Sequence, residues 1–231
     1  MAQIKYSALV QEMRNKLNGS VMSKNRYGNY VRNKTTPVNP QTEYQQNQRS
    51  RLSSVSQSWQ GLTSAQRQSF ADLAAVHPFT NIFGDQVKYD GKAMYSKLNL
   101  NLLSAGQPMI SSAVPFGETP FVAITSATVE DDGSVSLSVS EATIPAGYTA
   151  ILHATEPLPA TINFVKNRFR ELGTVTATTS TINAKTVYDA RFRPVTSADV
   201  GKAISFRLFL VDNATGQSSI ASEGRAIVAA A

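Results

Sequence analysis

The spacing of apolar residues changes character twice along the chain. Tyr6, Leu9, Val10, Met13 and Leu17 recur at three- and four-residue intervals, so residues 1–17 are expected to form a short amphipathic helix stopped by Asn18-Gly19. From Ser20 to Pro40 the periodicity fades. Val21, Tyr27, Tyr30 and Val31 are extended-type residues, but they are too few to build a core, and the segment reads as an extended arm. Helical spacing then returns. Asn39-Pro40 suits a helix start, Leu52, Val55, Trp59 and Leu62 share a face, and Thr63 with Gln66 makes a capping box for a second helix carrying Phe70, Leu73 and Ala74. His77-Pro78 should end that helix, and a third should run from Gly91 through Met94, Tyr95, Leu98, Leu102 and Ala105 to Gly106. Trp59, Leu62 and Phe70 are the expected structural core of this block.

Residues 107–120 hold three prolines and no clear period, the mark of a linker. From Phe121 the period is two. Strands are expected at 121–129, at Val135–Val139 after a tight Glu130–Ser134 turn, and at Tyr148–Thr155. Further strands are expected at Gly173–Ile182, Val187–Phe192, Ala203–Val211 and Ser218–Val228, with a helical insertion at Asn163–Leu172. The fold class is therefore α+β and multi-domain. A basic helix and arm (1–38) leads into a three-helix block (39–106), a linker (107–120) and an all-β part (121–231), whose strand count suits an immunoglobulin-like sandwich. With no cysteine pair, and with the run from Ala203 to Ser219 similar to a final hairpin, this half resembles a fibronectin type III domain.

Composition narrows the functional classes. The absence of cysteine removes disulfides, thiol catalysis and cysteine-ligated zinc. The two histidines, His77 and His153, fall at a helix end and in an apolar strand, and no Gly-x-Ser-x-Gly or phosphate-cradling loop occurs. Glu130-Asp131-Asp132 reads as a hairpin turn rather than a calcium loop. The expectation is no enzyme, no cofactor and no metal. The start lacks the apolar core of a secretory signal and no run is long enough to span a membrane, so a soluble protein made in a cytoplasm is expected.

Charge adds a direction. Residues 1–51 carry nine basic residues against two acidic ones, whereas residues 112–231 carry nine against eleven. A basic arm on a near-neutral body is an electrostatic handle for an anionic partner. Its candidate contact residues are Lys24, Arg26, Tyr27, Gly28, Tyr30, Arg32 and Lys34.

Over residues 19–106, the run Gly28–Thr42 followed by Gln45, Gln48-Arg49, Trp59, Leu62-Thr63, Gln66-Arg67 and Phe70 resembles structural proteins of tailed phages of Bacteroidetes hosts, of the crAss-like type. The resemblance implies a non-enzymatic virion protein, an auxiliary or decoration protein of the head or a head–tail connector component. Its partners would be other virion proteins (capsid or connector subunits), in many copies. Two alternatives stand beside it. One is a nucleic-acid-binding protein using the basic N-terminal half. The other is a host-surface carbohydrate-binding module, with Tyr148, Phe164 and Phe169 as candidate platforms.

Overall fold

The computed structural model describes residues 2–7, 9–10, 12–81 and 83–230. The chain is α+β, and its first departure from expectation comes at once. Instead of a helix and an open arm, residues 2–33 form a four-stranded antiparallel sheet: β1 (Ala2–Ile4), β2 (Asn15–Leu17), β3 (Ser20–Asn25) and β4 (Gly28–Asn33), in the order β1-β4-β3-β2. Met1, Ala8 and Gln11 of the expected helix lie outside the described residues. The local reason is turn chemistry. Asn18 adopts a left-handed backbone (φ 49°), so Asn18-Gly19 joins two strands rather than stopping a helix. At the next turn Asn25 Oδ1 accepts the Tyr27 N–H at 2.9 Å, and Gly28 supplies a φ of 117°.

Helix α1 spans Glu43–Gln60, α2 Ser64–Val76 and α3 Gly91–Ser104. Helix α1 starts three residues after the expected Asn39-Pro40. Thr42 is the N-cap and accepts the Gln45 N–H, while Asn39 Oδ1 takes a 2.8 Å bond from Arg49. Thr63 and Gln66 do form the reciprocal capping box. Beyond α3, Gln107 N–H bonds Leu102 O and Gly106 N–H bonds Leu103 O, with Gly106 at φ 72°. That is a Schellman closure, and it satisfies carbonyls that would otherwise be orphaned.

Phe70 and Tyr95 fill the centre of the block, fully buried, with ring centroids 5.0 Å apart. Tyr95 keeps its hydroxyl paired with Ser58 Oγ at 2.6 Å. Trp59 and Leu62 pack against this core from its rim, only partly buried. Leu52, expected on the same face, is 49% exposed. Phe70→Ala should therefore destabilise the protein by ~3–5 kcal/mol, and Trp59→Ala by roughly half that. Chemical denaturation of the two variants checks the order, and equal losses would return Trp59 to the centre.

The 107–120 segment is not free. Asn99, fully buried, donates to Ile110 O and accepts its N–H at 2.8 Å, and Ala113 N–H bonds Ser69 Oγ. Ile110, Ala113 and Phe116 pack on the helical core, with Phe116 against the His77 ring.

The C-terminal part is a curled sheet. Its strands are β7 (Ile124–Glu130), β8 (Val135–Val139), β9 (Tyr148–Ala154), β11 (Arg170–Val175), β12 (Thr181–Asn183), β13 (Lys202–Asp212) and β14 (Ser222–Ala229). Their order is β11-β9-β13-β14-β7-β8-β12, with β10 (Leu158–Pro159) paired to β13, and a two-residue pair, β5 (Phe79–Thr80) with β6 (Gln86–Val87), lies apart. Only β14 and β7 are parallel. The alternation expected of β13 holds, with Ile204, Phe206, Leu208 and Leu210 all buried.

Three expected elements differ. Val187–Phe192 lies in and just after a helix, α4 (Lys185–Arg191). Ala184 and Tyr188 are buried and Phe192 packs beside Tyr188, a four-residue spacing that in a short window passes for strand. Asn163–Leu172 is a loop running into β11, with a single turn closed by Arg168 N–H on Val165 O. The Thr-rich Gly173–Ile182 run is broken by Thr179 and Ser180, both at positive φ.

One carboxylate pins the approach to β13. Asp199, with no exposed side chain, meets Arg193 at 2.5 Å and Lys202 at 2.8 Å and takes the Thr196 N–H. These partners, Arg193 first, hold its pKa well below the usual carboxylate range. The depressed folded value means that its stabilisation is full above about pH 4 and drains away on further acidification. Asp199→Asn should cost ~2–3 kcal/mol at neutral pH and flatten the acid limb of the stability profile. Thermal melts from pH 7 to strongly acidic buffers test this; an unchanged acid limb would remove Asp199 from the account.

Candidate functional site

The N-terminal sheet stands out by what it lacks. No described residue before Val55 is buried. A sheet normally hides one face, yet here Leu17 is 60% exposed, and Leu9, Val10 and Met13 around it are exposed as well. Among the described residues, its named contacts with the rest of the chain gather near the tip, where Lys5 also lies 5.3 Å over the Phe83 ring. Arg26 pairs with Asp90 at 2.6 Å, Lys5 with Asp85 at 2.9 Å, and the Tyr27 ring meets Phe79 edge-on at 5.9 Å. Both ion pairs are about half exposed, so each contributes at most ~1 kcal/mol.

Register sorts the cations between faces. Lys16, Val21 and Arg32 form one cross-strand row, and Ser23, Tyr30 and Gln3 form the next row of the same face. Lys34 follows Arg32 by alternation, its N–H held by Gly19 O. The opposite face carries Lys24, Ile4, Met22 and Val31. Lys24 and Arg14 share the Glu12 carboxylate, whose acidity is strengthened chiefly by the hydrogen bond from Arg14. Among the described residues no carboxylate pairs with Lys16, Arg32 or Lys34, so one face presents three uncompensated cations around Tyr30. Two acceptors in the sheet, Gln3 Oε1 and Asn29 Oδ1, are covered yet without a hydrogen-bond partner.

Of the residues singled out in the sequence, Tyr30, Arg32 and Lys34 come together on this face. Lys24 lies behind it, Arg26 and Tyr27 are engaged at the tip, and Gly28 opens β4. Lys16 completes the patch. Sequence reading placed it in a helix; the Asn-Gly turn two residues later was the signal for a hairpin. His77 caps α2, and His153 sits on β9 against Phe209, where burial lowers its basicity. Among the described residues no group of histidines and carboxylates is placed to hold a metal ion, and no helix is long and apolar enough to cross a membrane.

Comparison with protein-family models, with curated proteins and with solved structures finds no match to this chain.

Proposed function

We propose that this chain is a non-enzymatic structural protein of a virus particle, an auxiliary or decoration protein of the head or a head–tail connector component, docked on a neighbouring subunit through its N-terminal sheet. One observation carries the reading: a folded sheet with no buried residue and one basic face. Leu17 in it and Leu9 beside it stay largely in water, and a partner that covers them stabilises both chains. The three uncompensated cations call for an acidic surface on that partner. The apolar residues Ile4, Met22 and Val31 on the other face suit a protein neighbour, because a phosphate backbone offers nothing to cover them.

The resemblance of residues 19–106 to structural proteins of tailed phages supports the particle context. The strand order supports reading the C-terminal part as an immunoglobulin-like sandwich of the fibronectin type III kind. In that reading β7, β8 and β12 form one layer and β11, β9, β13 and β14 the other, joined through the parallel β14–β7 pair. A sandwich of this sort would face outward or cement neighbours.

Mass spectrometry of purified particles tests the placement, with the chain expected at many copies per particle. Absence from particles, together with tight and steeply salt-dependent binding of the free protein to DNA, would transfer the basic face to the nucleic-acid reading.

A further inference from the structure

A second feature lies along the seam between the helices and the curled sheet. The seam is tight where α3 meets the β13–β14 turn, with Asn101 donating to Gly216 O at 3.0 Å. It opens beside α1 into a cleft of about 920 Å³ between Thr42–Asn47 and Phe169–Glu171, with His153 and Arg191 completing the wall. A smaller recess of about 400 Å³ continues it past Arg51, sharing Tyr44, Asn47, Glu171 and Arg191.

Its chemistry is unbalanced. Glu171, mostly buried, is already engaged by Tyr44 Oη at 3.4 Å and Arg51 at 3.7 Å. Arg191 lies 4.0 Å over the Tyr44 ring, and its Nε is buried without a hydrogen-bond partner. Arg170 reaches only the backbone oxygens of Asn167 and Phe169. Among the described residues, neither Arg170 nor Arg191 has a carboxylate partner. Gln45 Oε1, on the same wall, is also buried and unpaired. Arg170 is exposed, but the partly buried Arg191 guanidinium without a counter-charge is costly unless something anionic joins it. Three arginines against two glutamates leave a single net positive charge along the cleft and its recess. That suits one negative charge, not a polyphosphate. Two aromatic rings line the cleft, Tyr44 on the α1 side and Phe169 on the side of β11, and Phe169 is fixed by Arg207 at 4.3 Å from its centroid. A ring to receive C–H groups, planar amides at Gln45 and Asn47 for hydroxyls, and a guanidinium for one carboxylate make a set matched to a sugar acid.

We infer that this cleft binds an acidic saccharide, with its carboxylate on Arg191 and Arg170 and its sugar ring against Tyr44 and Phe169. The inference goes beyond the assembly role and does not depend on it.

The test is ligand-observed NMR on the full chain with D-glucuronate, D-glucose and inorganic phosphate as separate probes. Saturation transfer is expected to the glucuronate ring protons, at millimolar affinity and well above that to glucose. Arg191→Gln should weaken glucuronate about tenfold or more, and Phe169→Ala should remove ring-proton transfer, both with unchanged melting temperatures. Asn47→Ala, on the exposed side of α1, supplies a variant whose folding is not in question and should weaken binding several-fold. No transfer to glucuronate would overturn the inference. So would binding indifferent to Arg191→Gln, or phosphate displacing glucuronate at equal affinity, which would reduce the cleft to a general anion trap.

Discussion

Gly216→Ala is expected to be among the most destabilising single substitutions in the chain, at about 3–4 kcal/mol. Gly216 sits at φ 74° in the β13–β14 turn, where an L side chain costs roughly 1–2 kcal/mol by itself. A Cβ there would also stand 2.5 Å from Leu98 O and 3.1 Å from Leu102 Cγ, both on α3. The turn cannot retreat easily. Asp212 accepts from the Ala214 N–H and the Thr215 hydroxyl, and Gly216 N–H returns to Asp212 O. Overpacking against a fixed helix adds ~1–3 kcal/mol. Gly133→Ala is the control. Gly133 has a similar φ of 82°, but its new Cβ would crowd only the Lys185 ammonium, a flexible side-chain end that can give up its bond to Asp132 O, so its cost should stay near the conformational ~1–2 kcal/mol. Urea denaturation compares the two. If they lie within 0.5 kcal/mol (a difference that small is about the non-additivity expected of distant sites), the helical block is not seated on that turn.

Removing residues 1–38 should have the opposite profile: little change in stability and complete loss of attachment. Among the described residues no buried one is lost, and the named contacts that disappear are two exposed ion pairs, one edge-on aromatic pair and the Lys5 ammonium over the Phe83 ring. Together these account for about 1–2 kcal/mol, a shift of a few degrees in melting temperature for a chain of this size. Attachment should fail because the whole docking face is gone. A gentler variant separates charge from shape. Lys16→Glu, Arg32→Glu and Lys34→Glu together keep the sheet and reverse its basic face, and should reduce particle association at least tenfold. A truncated chain that still joins particles would place the interface elsewhere. A large fall in melting temperature would mean that the sheet supports the body of the protein.

Legibility in the sequence followed the length of the periodic window. Helix α3 and strand β13 were readable because each repeats its apolar positions several times in one register, and packing agreed with the pattern. The capping box at Thr63 was readable because it is a local, reciprocal hydrogen-bond arrangement. Short elements failed. Helix α4 has two turns, too few to separate a 3.6 period from a 2.0 period, and the left-handed Thr179-Ser180 turn has neither glycine nor asparagine to announce it. In the N-terminal sheet, Tyr6, Leu9, Val10, Met13 and Leu17 mimicked a helical stripe, although none of them is buried and Leu9 and Leu17 are mostly exposed. Periodicity signals a core, and a segment without one leaves the pattern free to mislead. The cationic arm was legible as charge. Its division between two faces was not, because that depends on a strand register set by Asn18-Gly19 and Asn25–Gly28. The cleft at Glu171 was invisible, since it joins residues more than a hundred positions apart.

The central claim is that the sheet of residues 2–33 is an interface waiting for a neighbour. Hydrogen–deuterium exchange of the full chain, free and within purified particles, reads this directly at the amides of β3 and β4. In the free protein these amides should exchange rapidly, because strands without a buried face open at little cost. In particles they should become strongly protected, while the amides of β9 and β13 remain slow in both states. Equal exchange of β3 and β4 in the two states, fast or slow, would contradict the account.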